Sequence, residues 1–273
     1  MKRRGLHRPT IEDAVELSGI ETLHPGGLAL SKRAGEVAGL RPGLSVLDVS
    51  SGRGTQALFY ARTFGVSVMG IDISEEMVRV ARTRASRDGL SDRVRFEFGD
   101  SQKLPLPDAS FDAVINECAV GIPDDSQAVL NEMVRVVRPG GPVVIHESTW
   151  RRPLSLPEKE ELVERYGTTP LDAEEWTSML VRAGVQDVQT ELEPWSRPEM
   201  FWKVRQERDV SAPWRVLTLT ERLRALKRIV ARHGLPGVAK VLKNERVFFR
   251  AVRAGTIGYG LYWGRRSVWT TRA

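Results

Sequence analysis

A single cysteine, Cys118, occurs in 273 residues. One thiol excludes an internal disulfide framework and any cysteine-rich metal site. No apolar run approaches the roughly 20 residues that a membrane-spanning helix requires. The first eight residues, Met1 to Arg8, are basic but have no apolar core of the kind a secretory signal needs; a cytoplasmic location is expected. Internal repeats and low-complexity tracts are lacking, and no tryptophan precedes Trp150. Acidic residues are scarce in one stretch only. From Ser196 to Arg253 there are 15 Lys/Arg against 5 Asp/Glu, whereas the rest of the chain carries 26 against 30. The overall charge of +6 is therefore concentrated in one segment of the second half.

With 41% hydrophobic and 28% charged residues, the composition is that of a soluble globular chain. The length suits one sizeable domain with an insertion. Apolar β-type runs alternate with helical periodicity from about residue 44 to 149. Strands are expected at Ser45–Ser50, Val66–Ile73, Val94–Phe98, Phe111–Asn116 and Val143–Glu147. Helices are expected at Thr55–Phe64, from Ser74 to near Gly89, and from Ser126 to Val137, the last stopped by Pro139-Gly140-Gly141. Such alternation implies right-handed βαβ units and a parallel sheet covered on both faces. Beyond it, Asp172–Ala183 reads as a helix, and Val185–Leu192 and Thr256–Trp263 read as strands. The intervening residues form helices at Thr220–Arg232 and Val238–Val252, the first with Leu219, Leu223, Leu226 and Val230 on one stripe. Four parts are expected: a helical segment over 1–40, a core over 41–192, a basic helical cap over 193–253, and a last strand and tail over 254–273.

The most informative stretch is Val46-Leu47-Asp48-Val49-Ser50-Ser51-Gly52-Arg53-Gly54-Thr55, an apolar strand running into a glycine turn. Gly70-Ile71-Asp72-Ile73-Ser74 and Phe98-Gly99-Asp100-Ser101 repeat the pattern of an apolar run ending in an acid. In open α/β sheets, ligands bind at the carboxyl ends of strands near the topological switch point. Asp48, Asp72, Asp100, Asn116 and His146 all fall at or near such ends. Glycines admit close backbone approach and a carboxylate can hold a ribose diol, so a nucleoside-type cofactor is expected. An acid in such a place also serves as a plain helix cap or turn residue. A nicotinamide fingerprint, Gly-x-Gly-x-x-Gly, does not fit Ser50, Gly52 and Thr55.

Residues 46–55 resemble motif I of the class I S-adenosylmethionine-dependent methyltransferases. Leu104-Pro105-Leu106-Pro107-Asp108-Ala109-Ser110-Phe111-Asp112 resembles that family's loop before its fourth strand. Val134-Arg135-Val136-Val137-Arg138-Pro139-Gly140-Gly141 resembles its helix leading to the fifth. The similarity is greatest to the small-molecule and quinone-biosynthesis subgroup. It implies an α/β, Rossmann-like, doubly wound sheet of seven strands, mostly parallel with an antiparallel last strand, plus a helical cap insertion. It implies S-adenosyl-L-methionine as cofactor and S-adenosyl-L-homocysteine as product; separately, no metal is expected. Gly52 and Gly54 would let the turn approach the methionine part and the ribose, and Asp48 would orient that region. Asp72 would take the ribose hydroxyls, with Ile73 beside it among the cofactor residues. Asp100 would contact the adenine amino group, and the Ser101 backbone N–H a ring nitrogen. Asn116 and Glu117 would close the methionine end. Ser50 stands where the family pattern Gly-x-Gly-x-Gly has its first glycine.

The acceptor is expected to be a small molecule, apolar or lipid-tailed. His146 is the first candidate base, because an imidazole titrates near neutral pH. Glu117, Glu147 and His24 follow, although each histidine taken alone reads better as a hydrogen-bonded structural residue. The cap carries Trp195, Phe201, Trp202, Trp214, Phe248 and Phe249, either as a chamber wall over the acceptor or as core. Its basic amphipathic helices suit peripheral contact with an anionic membrane. Two other classes stay open: an RNA methyltransferase using the basic cap, and an S-adenosylmethionine-binding protein without catalysis. Nucleic acid is disfavoured, because Asn116-Glu117-Cys118-Ala119 is not a base-flipping motif. Arsenic methylation is disfavoured by the single thiol.

Overall fold

The computed structural model describes residues 24–202 and 218–268. The first 23 residues of the expected N-terminal segment and Trp214 of the cap lie outside the described residues, as do the side chains of Phe201 and Trp202.

Seven strands form one sheet in the order β3-β2-β1-β4-β5-β7-β6. They are β1 Ser45–Val49, β2 Ser67–Asp72, β3 Val94–Phe98, β4 Ala113–Glu117, β5 Pro142–Trp150, β6 Val185–Glu191 and β7 Ile257–Arg266. β1 to β5 run parallel, while β7 lies antiparallel between β5 and β6. The order reverses between β1 and β4, which is the switch point. The helices are α1 Gly27–Val37, α2 Thr55–Phe64, α3 Glu75–Arg87, α4 Ser126–Val136, α5 Leu156–Tyr166, α6 Ala173–Ala183 and α7 Leu219–Arg253.

Strand alternation divides the core in two. Val46, Val68, Phe96, Ile115 and Val144 pack with α1, α2, α3 and the end of α7 on one face. Leu47, Val49, Ile71, Val114, Val143 and Ile145 pack with α4 and α6 on the other. Because the side-chain period of a strand is two, Asp48, Asp72, Glu117 and His146 share the parity of the first set. Four chemically active side chains therefore face α1 and α2 along one line of the sheet.

Three departures from the sequence reading have physical causes. β5 continues to Trp150 because β7 pairs with its whole length, so His146 is an interior strand residue, opposite Leu261, rather than one at or near the strand's end. α5 was not expected at all; its Pro157-Glu158-Lys159-Glu160-Glu161 start offers no apolar stripe, and only Tyr166 is buried. The two expected cap helices form one helical span broken at Gly234 (φ 68°, ψ −177°), just before Pro236. α7 lies between β6 and β7 in the chain. No described helix is long and apolar enough to cross a membrane.

Candidate active site

The site is built where β1, β2 and β4 end. After β1 the chain turns sharply through three left-handed residues, Ser50 (φ 60°), Gly52 (φ 53°) and Gly54 (φ 74°). Ser50 thus holds a conformation that costs an L-residue about 1–2 kcal/mol. At Gly54 a Cβ would lie 2.4 Å from the Phe96 ring, so this glycine is required by the docking of α2 against β3.

Asp72 ends β2 and ties the turn down. Its Oδ2 accepts from the Gly52 N–H at 2.8 Å and its Oδ1 from the Ser74 N–H at 2.8 Å. A carboxylate has about four acceptor positions, so capacity remains for two hydroxyls. Ile73 is 60% exposed, and Phe98, the register partner of Asp72, is 55% exposed. Two large apolar side chains left open beside a carboxylate make a place for a flat ring. Asp100 follows on the next loop, where its Oδ1 accepts from the Gln102 N–H at 2.9 Å, and Ser101 is buried.

Asp48 is buried beneath the turn, and its Oδ2 has no hydrogen-bond partner. Burial, with the neighbouring Glu117 and Asp72 carboxylates, pushes its pKa well above the usual range, against the Ala57 N–H it accepts. A buried carboxylate oxygen left open is costly unless a cation approaches it. S-adenosylmethionine carries an ammonium and a sulfonium, so this donor set fits it, as do the turn, the Asp72 carboxylate and the apolar pair.

Glu117 ends β4 and is held from three directions. Tyr60 of α2 donates to its Oε1, Ser31 of α1 donates to its Oε2 at 2.9 Å, and His24 Nε2 lies 2.9 Å from that same oxygen. Burial pulls the His24 pKa down, but the Glu117 carboxylate outweighs it, and the net shift is upward. His146 is fully buried with its Nδ1 2.9 Å from Cys118 Sγ and its Nε2 without a partner. Its ring stacks on Tyr259 at 5.0 Å and meets His24 edge-on at 5.9 Å. Burial, reinforced by His24, drives its pKa well below 6.5, so it is neutral at physiological pH.

Some expected residues have other duties. Asn116 points to the opposite face and donates to the Val49 carbonyl at 2.9 Å while accepting from the Ala119 N–H at 3.0 Å. Its side chain braces the two switch-point loops. Glu147 likewise faces away; its Oε1 accepts from the Val120 N–H at 2.6 Å, and burial raises its pKa to about 7. Trp195 is buried and donates to Glu191, and Phe248 is buried against Tyr166 at 4.5 Å. These two are core, with Phe249 packed beside them on the same cluster, and not a chamber wall.

Ser31, Tyr60, Phe98 and Tyr259 escaped the sequence reading. Tyr60 alone had a signal: a phenol on the apolar stripe of Ala57, Leu58 and Ala61 must find a buried acceptor.

Residues 46–141 match the family model described as a methyltransferase domain. The methyltransferase GfsG of Streptomyces halstedii is 39% identical over 129 residues, 47% of this chain and 46% of that one. The chain thus spans under half the length of that relative. The 27-O-demethylrifamycin SV methyltransferase of Amycolatopsis mediterranei is 32% identical over 192 residues, 68% of this chain and 70% of that one. Among solved structures, Haemonchus contortus phosphoethanolamine N-methyltransferase 2 in complex with S-adenosyl-L-methionine shares the fold at a TM-score of 0.68 and 19% identity, over 94% of this chain and 57% of that one. A sheet of this order with an acid-lined switch point defines an α/β nucleoside-cofactor protein. The chain belongs to the class I S-adenosylmethionine-dependent methyltransferases.

Proposed function

We propose that this protein transfers a methyl group from S-adenosylmethionine to a small-molecule acceptor with an apolar body, and that His146 is the group that takes up a proton where the acceptor must lose one. The observation that carries the reading is the shared face of Asp48, Asp72, Glu117 and His146, with Asp48 Oδ2 and His146 Nε2 buried and unpartnered. Two relatives are named for small molecules, a rifamycin and phosphoethanolamine, which favours this class over nucleic acid.

In this reading Asp72 binds the ribose hydroxyls, Ile73 and Phe98 flank the adenine, and Asp100 and the Ser101 N–H meet its edge. Asp48 faces the cationic amino-acid end, with Ser50, Gly52 and Gly54 forming the backbone cradle. The cofactor supplies an activated methyl on a sulfonium, open to in-line displacement. What the chain adds is alignment and proton control. His146, neutral through burial, can accept a proton at Nε2 when Nδ1–H is donated to Cys118 Sγ. Glu117 works as a strut: held by Tyr60, Ser31 and His24, it fixes α1 and α2 against the end of β4 and keeps the methionine end narrow. His24, paired with that carboxylate, is a positioning residue.

The test is a transfer assay with methyl-labelled S-adenosylmethionine over a panel of phenols, quinones, amines and lipid-tailed acceptors. Label is expected in an apolar acceptor. Calorimetric titration with S-adenosylhomocysteine that gave no heat would remove the cofactor assignment.

A further inference from the structure

α7 is a hairpin, and its outer arm is unlike the rest of the molecule. Arg222 acts electrostatically on Glu245, 23 positions later. On a straight helix those residues would stand about 35 Å apart, so the chain must fold back, and Gly234 stands midway. The inner arm joins the core through Phe248, Ala251 and Val252. The outer arm, from Leu219 to His233, contributes no residue to either core cluster. It buries only Ala225 and Ile229. Leu219, Leu223 and Leu226 stand about 100° round the helix from that buried pair, and they are 74%, 58% and 43% exposed. Leu235, just past the kink, is 74% exposed. Lys227 and Arg224 are exposed on the sector beyond the leucines, and Arg222 borders them on the near side. α7 as a whole carries ten Lys/Arg and two Glu.

We propose that the outer arm of α7 docks on an anionic membrane surface, with Leu219, Leu223 and Leu226 entering the headgroup–acyl boundary and Lys227 and Arg224 meeting lipid phosphates. An exposed leucine stripe two turns long, with cations beside it, is the pattern of an interfacial helix. A second copy of the chain is a poor occupant, because a two-fold contact would set one cationic arm against another. Nucleic acid has no use for the leucines, and the outer arm has no Phe, Tyr or Trp on which a base could stack. The inference does not depend on which acceptor is methylated.

Sedimentation of the full chain with phosphatidylcholine vesicles, with and without phosphatidylglycerol, is the experiment. Partition onto the anionic vesicles alone is expected, weakening with added salt. Arg224→Ala and Lys227→Ala should each weaken it about fivefold, and Leu223→Ser and Leu226→Ser about tenfold or more. All four residues are exposed, so the variants should keep the wild-type thermal shift with S-adenosylhomocysteine, which checks their fold. Absence of partition, or equal partition by wild type and the leucine variants, would overturn the proposal. So would a leucine-dependent dimer in solution without vesicle binding, which would make a second copy the occupant.

Discussion

His146 on β5 and Cys118, one residue past the end of β4, bring Nδ1 and Sγ to 2.9 Å, while the Cys118 N–H donates to the His146 carbonyl at 2.7 Å. Ring and main chain of one residue are thus both bound to the other, and the imidazole has one orientation. That leaves Nε2 as the nitrogen available to an acceptor. Replacing His146 by Gln should lower kcat for a proton-losing acceptor by about a hundredfold or more, with little change in S-adenosylhomocysteine affinity. The pH dependence carries a sign. The pKa is depressed below 6.5, so the rate should stay flat from pH 8 down to 6.5 and fall only under more acid conditions. A wild-type rate that drops between pH 8 and 7 would contradict this assignment.

Asp72 has a double load, and its removal should show both. Its oxygens accept the Gly52 and Ser74 N–H groups, and in the proposed complex they also accept the ribose. Hydrogen bonds to a charged group contribute roughly 1.5–3 kcal/mol each. Asp72→Ala should therefore weaken S-adenosylhomocysteine binding by about a hundredfold in calorimetry. Asp72→Asn, which keeps one acceptor for the turn, should fall between the two. Unaltered binding by Asp72→Ala would move the ribose elsewhere.

Local pattern was readable where one layer of packing decides it. Val94–Phe98 and Thr55–Phe64 were delimited from sequence to the residue, because each has a single apolar face and a clear stop. The parity that puts Asp48, Asp72, Glu117 and His146 together was also present in the sequence, once the strands were aligned. What escaped depends on a third partner. The length of β5 is set by β7, more than a hundred residues later. The leucine stripe of α7 marks a helix but not its buried side: Ala225 and Ile229 take that role. Tyr60, Ser31 and His24 converge on Glu117 from separate segments, and no spacing in the chain announces that meeting.

Glu147 is a buried carboxylic acid on the sheet face opposite Asp48 and His146, and it makes stability depend on pH. Its folded pKa is raised from 4.5 to about 7 by burial, against the N–H groups of Val120 and Gly121. A raised acid pKa means that the native state holds the proton more tightly than the unfolded chain. Its contribution is therefore fully present below pH 4.5 and is lost as pH rises towards 7, with a ceiling of roughly 3 kcal/mol. Glu147→Gln keeps an acceptor for the two N–H groups and removes the titration. Calorimetric Tm values at pH 5 and pH 8 should differ less in this variant than in wild type, with the variant gaining at pH 8. An identical pH dependence would show that Glu147 ionises without cost.

Ser50 and Gly54 lie in the same turn and should respond in opposite directions. Both have positive φ, 60° and 74°. Ser50→Gly removes a Cβ from a left-handed residue, worth about 1–2 kcal/mol, against an unfolded-state entropy loss of roughly half that. A net gain of up to about 1 kcal/mol in urea unfolding is expected. At Gly54 a Cβ adds the same strain and also meets the Phe96 ring at 2.4 Å and the Ala81 Cβ at 3.0 Å. Gly54→Ala should cost about 2–4 kcal/mol. The clash is with a ring, so Phe96→Leu in the Gly54→Ala background should recover part of that loss, although Phe96→Leu alone destabilises. A double variant no better than Gly54→Ala would assign the whole cost to the backbone of the turn.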